Sequence, residues 1–258
     1  MIPAPICKRF DPYTGILFPT KKEIASFANK LINEYCKIYN KTIATIDHDE
    51  FVTKYLGIDI QYQKLSNNGS ILGAAIQKNG LIQTYSYDGR LKLVKTARGE
   101  IFVDPEACGC QQRELFTIYH EIKHYFFDLD KNFMVDKIID DESTIFGLSK
   151  PKTEYSWAEY FANYFASCIL LPRRLLKKLY DKKHTEYITK YHTTLNGKRI
   201  NCLKKIIREI SEETGASQSA VALRLKEINL ITDKTFERLD YKFGKEAALV
   251  FRLNRIQR

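Results

Sequence analysis

The chain has 258 residues, of which 44% are hydrophobic and 28% are charged, a composition typical of a soluble globular protein with a real core. Its longest apolar runs, such as FASCILLP, are too short to span a bilayer, and its N-terminus has no uninterrupted apolar segment of the signal-peptide kind. The six cysteines are scattered, which favours reduced structural thiols over a disulfide framework. We therefore expect a cytoplasmic protein with no membrane anchor.

The net charge of +10 is concentrated in one region. Residues 173–208 contain twelve Lys or Arg and two acidic residues, so this segment alone accounts for the excess and the remainder is neutral. The pattern predicts a basic patch that meets an acidic partner or phosphates.

The first hundred residues predict two helices and a small antiparallel sheet. A capping box, TKKE at residues 20–23, opens a helix with one apolar face, and a shorter helix follows at about 49–56. IDIQY is predicted to be a strand. The β-rich runs between residues 69 and 104 are broken at Asn79-Gly80 and Asp88-Gly89, both of which are hairpin signals.

From Arg113 onward the chain is predicted to be mostly helical, with helices near residues 113–129, 155–171 and after Pro172. We divide the chain into four parts: an N-terminal segment, 1–66, that packs on the core; the core domain, 67–180; a basic connector, 181–200; and a helix-turn-helix-like subdomain with its tail, 201–258.

The stretch FTIYHEIKH places His120 and His124 four residues apart, on one face of a helix, with Glu121 directly after the first. Two imidazoles in this arrangement can bind one Zn²⁺, while the glutamate acts on a metal-bound water without binding the metal itself. Apolar residues repeat on the opposite side and predict a buried packing face: Leu115, Ile118, Ile122, Phe126 and Leu129. The alternative interpretation is two histidines that share this spacing by chance.

A catalytic zinc needs a third protein ligand. In one arrangement, a glycine soon after the motif ends the helix and the third ligand follows it. Here Phe127 occupies the glycine position, so Asp130 stays on the same helix and faces away from the two histidines, and this arrangement is excluded. Glu159 is the better candidate. Ala162 and Ala166 lie on about the same helical face, and small residues there let two helices approach closely.

These motifs together resemble the ImmA/IrrE family of metallopeptidases. FTIYHEIKH is followed some thirty residues later by ExxANxFAxxxLLP, which begins at Glu159, and the lead-in GEIFVDP and Arg113 also fit. The resemblance covers about residues 70–230. It implies an α+β fold, a zincin-like minimal metalloprotease domain of small antiparallel sheet and helices, followed by the helix-turn-helix-like subdomain. It also implies zinc ligands at His120, His124 and Glu159, with Glu121 as the base.

Two departures from the family pattern lie near the site. Asp128 stands where the family often has histidine, and Lys123 replaces a commonly small residue. Asp128 lies four residues after His124 and can orient that imidazole; Asn163 of the second motif is the other candidate for this supporting shell. Zinc is favoured by the ligand set over manganese or iron. The oxyanion donor stays open among Tyr119, Tyr155, Tyr160, His184 and His192.

The segment NCLKKIIREISEETGASQSAVALRLKEINLI has the form of a helix-turn-helix, with Ser217 as the cap of its second helix. That helix offers few residues for base reading, namely Gln218, Ser219, Arg224 and Lys226, so direct DNA binding is the less favoured interpretation.

We therefore predict a regulatory zinc endopeptidase that cleaves a helix-turn-helix repressor of a mobile element or stress response, a partner implied by the resemblance. The alternatives are a DNA-binding regulator with a non-catalytic zincin-like fold and a zinc-stabilised interaction module. GEIFVDP is predicted to be an exposed strand at the rim of the cleft, where it would pair with substrate.

Overall fold

A computed structural model describes residues 2–5, 7, 19–127, 154–191 and 199–239, and these form two compact units. The described part of the first unit ends at residue 127 and resumes over 154–169; that of the second unit starts at 170. The fold is α+β, as predicted. Among the described residues, no helix is both long enough and apolar enough to cross a membrane.

The first unit begins with helix α1, Lys21–Ile38, and its predicted capping box is present. The Thr20 hydroxyl accepts a hydrogen bond from the backbone N–H of Glu23 at 3.2 Å, and the Glu23 carboxylate accepts one from the backbone N–H of Thr20 at 2.7 Å. Phe27 on the buried face contacts Phe127 and Phe165. This face therefore packs where the two helices that carry the site residues meet.

Five strands follow a short 3₁₀ turn, Ile43–Thr45, and a π-helical segment, Glu50–Tyr55. They are β1 (Asp59–Tyr62), β2 (Gly73–Ala75), β3 (Gly80–Tyr85), β4 (Leu91–Thr96) and β5 (Glu100–Val103). They form two sheets: a three-stranded sheet in the order β1-β5-β2 and a β3–β4 hairpin. The pairs among residues 69–104, β2–β5 and β3–β4, are antiparallel as expected, but they belong to two sheets and not one. Strand β1, from IDIQY, joins the first sheet parallel to β5.

The position of β5 also differs from the expectation. GEIFVDP was predicted to be an exposed rim strand, but β5 is the central strand, with a neighbour on each side. Ile101, Phe102 and Val103 are all buried, as an uninterrupted apolar run in a strand covered on both faces should be. Of the two hairpin signals, Asp88-Gly89 joins β3 to β4, whereas Asn79-Gly80 connects strands that do not pair.

The two faces of the three-stranded sheet have different neighbours. Helix α2, Pro105–Cys108, leads into α3, Gln111–Phe127, and α3 packs on the sheet at β2 and β5. The other face contributes Ala74 and Phe102 to a cluster with Leu65, Ile76 and Ile82, the last of which comes from the hairpin. The sheet thus separates α3 from the hairpin.

Helix α3 is buried around most of its circumference at the level of the motif, from Thr117 to Lys123. Ile118 and Ile122 of the predicted packing face are buried, whereas Leu115 and Phe126 are only half-buried and Leu129 lies outside the described residues. The next described helix, α4, runs over Glu154–Leu170.

The second unit contains α5 (Arg173–Tyr191), α6 (Arg199–Thr214), α7 (Gln218–Glu227) and α8 (Asp233–Leu239). Helix α5 starts just after Pro172 and continues through much of the segment predicted to be a connector. Ser217 caps α7, and its hydroxyl accepts a hydrogen bond from the backbone N–H of Ala220 at 3.2 Å. The apolar side chains of both helices form the core of this unit, whereas Leu223 is only half-buried. The core includes Leu203, Ile206, Ile207, Ile210, Val221 and Leu225.

Candidate metal centre

The two histidines of the motif lie side by side on α3, as their spacing predicts. Their Nε2 atoms are 3.1 Å apart. The His120 side chain is almost completely buried and that of His124 is 17% exposed, so the second imidazole is the one closer to solvent. Both rings direct the same nitrogen to the same point, which is the arrangement that two ligands of one ion need.

Helix α4 brings Glu159 to the same point. Its Oε2 is 3.1 Å from Nε2 of His120, and its Oε1 is 3.3 Å from Nε2 of His124. Ala162 and Ala166, on the following turns of this face, are fully buried. Their small side chains permit the close packing that the sequence analysis expected.

The three side chains fit a tetrahedral metal. Ligands about 2.0–2.1 Å from a zinc ion lie about 3.3–3.4 Å from one another in a tetrahedron. The two Nε2 atoms are 3.1 Å apart, and each lies 3.1 or 3.3 Å from a different oxygen of the Glu159 carboxylate, separations close to those of such a site. Within the described part of the chain, His120, His124 and Glu159 form the group of potential metal ligands whose donor atoms all lie within 4.8 Å of one another.

Asn163 supports this geometry from α4. Its Oδ1 lies 2.8 Å from Nδ1 of His120, deep in the protein. An amide oxygen can only accept, so Nδ1 of His120 carries the proton and Nε2 presents its lone pair to the metal position. Asn163 therefore occupies the supporting position that the sequence suggested. Asp128, the other residue proposed for that role, lies outside the described residues.

Glu121 is buried beside the cluster without belonging to it. A Cβ atom at Gly73 would lie 2.7 Å from Cγ2 of Thr117 and 3.0 Å from Cγ of Glu121, so only glycine lets β2 come this close to α3. The approach allows the backbone N–H of Ala75 to donate a hydrogen bond to the Glu121 carboxylate. Strand β2 thus orients this carboxylate.

The two carboxyl groups titrate in opposite directions. Burial raises the pKa of Glu121 above its ordinary value, an effect that the imidazoles of His120 and His124 partly offset. Burial opposes ionisation of Glu159 as well, but the same two imidazoles hold the pKa of Glu159 well below its usual range. Of the two carboxyl groups, Glu159 is the one that stays ionised to lower pH, and Glu121 is the one that binds a proton more readily.

The residues predicted as possible oxyanion donors lie in different surroundings in the structure. Tyr119 is fully buried, its hydroxyl is 2.7 Å from Nδ1 of His48, and burial raises its pKa well above 10. Tyr160 lies under the ammonium group of Lys21, and His184 is stacked on Tyr180 in the second unit. The side chains of Tyr155 and His192 lie outside the described residues. None of the described candidates is shown to serve the metal cluster.

The close approach of β2 to α3 was not predicted from the sequence. The residues GAA indicate it, because a glycine inside a strand often marks a place where another backbone or helix comes close. The sequence analysis also missed Gln77, whose side-chain Nε2 donates to the carbonyl oxygen of His124 at 3.0 Å and anchors the segment after β2 to the end of the motif.

No curated protein matches the chain in a sequence comparison. A peptidase family model described as the IrrE N-terminal-like domain matches residues 53–226, about two thirds of the chain. The match includes the histidine motif of α3 and the Glu159 motif of α4. The chain therefore belongs to the ImmA/IrrE family of metallopeptidases.

Proposed function

We propose that the protein is a zinc-dependent endopeptidase in which His120, His124 and Glu159 hold the metal and Glu121 is the general base. The observation that carries this proposal is the environment of Glu121. Its carboxylate is buried next to three convergent ligand atoms, is not one of them, and is oriented by the N–H of Ala75. A non-catalytic zinc module has no use for such a group.

A divalent ion bound at this position supplies a Lewis acid that polarises the scissile carbonyl and lowers the pKa of a bound water. Glu121 accepts the proton of the attacking water and then donates it to the nitrogen of the leaving amine. Its raised pKa suits both steps, because the carboxyl group must be able to carry the proton between them. Asn163 keeps His120 in the tautomer that binds the metal.

We propose that substrate pairs with β2 and not with β5. Among the described residues, β2 lies at the edge of the sheet, whereas β5 is paired on both sides. The hydrogen bonds from Asp104 N–H to the Leu72 carbonyl and from Ile76 N–H to the Glu100 carbonyl show that alternate residues bond towards β5. Gly73 and Ala75 therefore direct their backbone groups to the outer edge, beside Glu121. The Ala75 N–H donates to Glu121, so an extended peptide that adds as a further strand would bond to the Gly73 backbone groups and the Ala75 carbonyl.

For the substrate we retain a helix-turn-helix repressor, on the basis of the family, and a regulatory role in the cytoplasm. Two contacts of α7 support this choice over direct base reading by that helix. Arg224 is buried, donates to the Leu171 carbonyl and pairs with Glu227 at 2.8 Å. Lys226 pairs with Asp233 at 2.9 Å. Both cations of this helix are thus engaged within the second unit.

The test compares purified variants for bound metal and for cleavage of a peptide library read by mass spectrometry. His120→Ala should contain well below one equivalent of zinc. Glu121→Gln should keep its metal but lose about 10²–10⁴ in cleavage rate. Glu106→Gln, an exposed carboxylate on α2, is the control and should behave like the wild type. Stoichiometric metal in His120→Ala, or near-normal cleavage by Glu121→Gln, would refute the proposal.

A further inference from the structure

The β3–β4 hairpin has an outward face that the proposed function does not use. Its register places Leu81 opposite Lys95, Gln83 opposite Leu93 and Tyr85 opposite Leu91, all on one side. The other side carries Ile82, which is buried in the cluster shared with the three-stranded sheet. We call the first side the outer face of the hairpin.

The outer face is unusually apolar for a surface. Leu81, Leu91 and Leu93 are 64%, 55% and 60% exposed, and Tyr87 in the adjoining turn is 79% exposed. Single exposed leucines are normal, but several that adjoin on one small sheet are typical of an interaction site.

The same hairpin is strongly basic. From residue 78 to 98 it contains five Lys or Arg and a single acidic residue, Asp88, a net charge of +4. Lys92 and Lys95 on β4 are exposed. Lysines at a sheet edge often protect it against unwanted strand pairing. That role alone does not explain the three exposed leucines beside them.

Strand β4 also presents an edge. Tyr85 donates its N–H to the Lys64 carbonyl and so bonds away from β4, which makes Tyr85–Leu91 a non-hydrogen-bonded pair. By alternation, Leu91, Leu93 and Lys95 direct their N–H and C=O groups to the far side of β4. Within the described part of the chain, no strand pairs with that side.

We propose that the outer face and the β4 edge bind an extended, acidic segment of a partner protein with apolar residues at alternate positions. Such a segment adds to β4 as a third strand, places its apolar side chains on Leu91 and Leu93, and brings its carboxylates to Lys92, which lies on the opposite face of β4. This surface is separate from the β2 edge, because the three-stranded sheet lies between the hairpin and α3. The proposal therefore does not depend on peptidase activity.

Two other occupants are less well matched. A second copy of the chain would bring two hairpins of net charge +4 together, which costs electrostatic energy. An anionic membrane would satisfy the charge and the leucines, but lipid tails cannot satisfy the backbone groups of an open strand edge. An acidic protein strand complements the charge, the apolar surface and the edge together.

The probe is a fluorescently labelled peptide of alternating Val and Glu, and its binding to the full-length protein is measured by anisotropy, with a mass check that it stays intact. We expect salt-sensitive binding that weakens about tenfold or more in Leu91→Thr/Leu93→Thr and in Lys92→Glu. A peptide with Lys in place of Glu, and one with N-methylated alternate amides, should not bind.

Matched controls separate this surface from the rest of the molecule. Ile38→Thr removes an equally exposed apolar side chain on α1, and Lys30→Glu makes the same charge change on that helix; both should bind like the wild type. Thermal unfolding of the hairpin variants should be unchanged, because the replaced side chains are exposed.

Three results would overturn the proposal. The first is an affinity that does not change in the hairpin variants, or equal binding of the N-methylated peptide. The second is binding of phosphatidylserine vesicles, but not of the peptide, that depends on Leu91 and Leu93. The third is a concentration-dependent dimer in sedimentation experiments that Leu93→Thr abolishes.

Discussion

Replacing Gly73 by alanine adds a single methyl group at the closest approach of β2 to α3. That carbon would lie 2.7 Å from Cγ2 of Thr117, 3.0 Å from Cγ of Glu121 and 3.1 Å from Oε1 of the same carboxylate. Normal carbon–carbon contacts are about 3.5–4.0 Å, so β2 or the Glu121 side chain must move by close to an ångström. The gain of about 0.4–1 kcal/mol from a stiffer unfolded chain is too small to offset this overpacking, which costs about 1–3 kcal/mol.

The activity should fall further than the stability. A displaced β2 no longer presents the Ala75 N–H to Glu121, and a shift of about 1 Å at a catalytic group can cost about 10²-fold in rate. Metal content should stay normal, because the three atoms nearest the new methyl group belong to Thr117 and Glu121 and not to His120, His124 or Glu159. The assay combines denaturant unfolding, metal analysis and cleavage of one peptide from the library.

Two further variants sharpen this prediction. Gly80→Ala is the matched control, since a Cβ atom there meets nothing within 4 Å and stability should change little. Thr117→Ser deletes only the clashing Cγ2 and keeps the hydroxyl that donates to the Arg113 carbonyl. In the Gly73→Ala background it should recover part of the stability but little activity, because the contacts with Glu121 persist. Wild-type stability and activity in Gly73→Ala would refute the reasoning.

Three other predictions follow from the same contacts. Asn163→Ala should lower metal affinity about 10–100-fold, measured by competition with a chelator, whereas wild-type affinity would show that the hydrogen bond to the imidazole is unimportant. Lys183→Met should destabilise the protein by about 1 kcal/mol in urea unfolding, because Lys183 is buried and pairs with two carboxylates, and the exposed Lys178→Met should not. Hydrogen bonds from Tyr187 and Lys183 lower the pKa of Glu209. The difference in unfolding free energy between the wild type and Lys183→Met should therefore disappear as the pH falls through that lowered pKa. A difference that does not change with pH would contradict the ion-pair explanation. Reversing Lys177, Lys178 and Lys182 to Glu should weaken cleavage of a whole protein substrate in a salt-dependent way and spare short peptides, and equal losses on both would remove the recruiting role of the basic patch.

The last prediction differs from what the sequence suggested for the basic region. Lys183 belongs to the same charged run as Lys182, yet its side chain is only 9% exposed and lies 3.2 Å from the Glu209 carboxylate. Its reversal would therefore disrupt the packing of α5 on α6 and could not test recruitment. Counting charges along the chain cannot separate a solvated lysine from one buried in an ion pair, because the partners lie 26 and 30 residues away.

Features that depend on neighbours along the chain were predictable from the sequence. The spacing of His120 and His124 determines that they share a face, since a helix repeats every 3.6 residues. The capping box before α1, the Asp88-Gly89 turn and the cap at Ser217 also follow from local backbone chemistry. Glu159 was predictable because its own helix carries the small residues that close packing needs.

The tertiary structure alone decided which elements became neighbours. Whether β2 or β5 lies at the sheet edge depends on pairing between strands that are distant in sequence, and no local pattern records the partner of a strand. The same holds for the Ala75 N–H on Glu121, the amide of Asn163 on His120 and the burial of Arg224. The three side chains that converge were predictable because spacing within a helix is a local property. Their orientation and the position of β2 at the sheet edge were not, because both arise from contacts that exist only once the chain has folded.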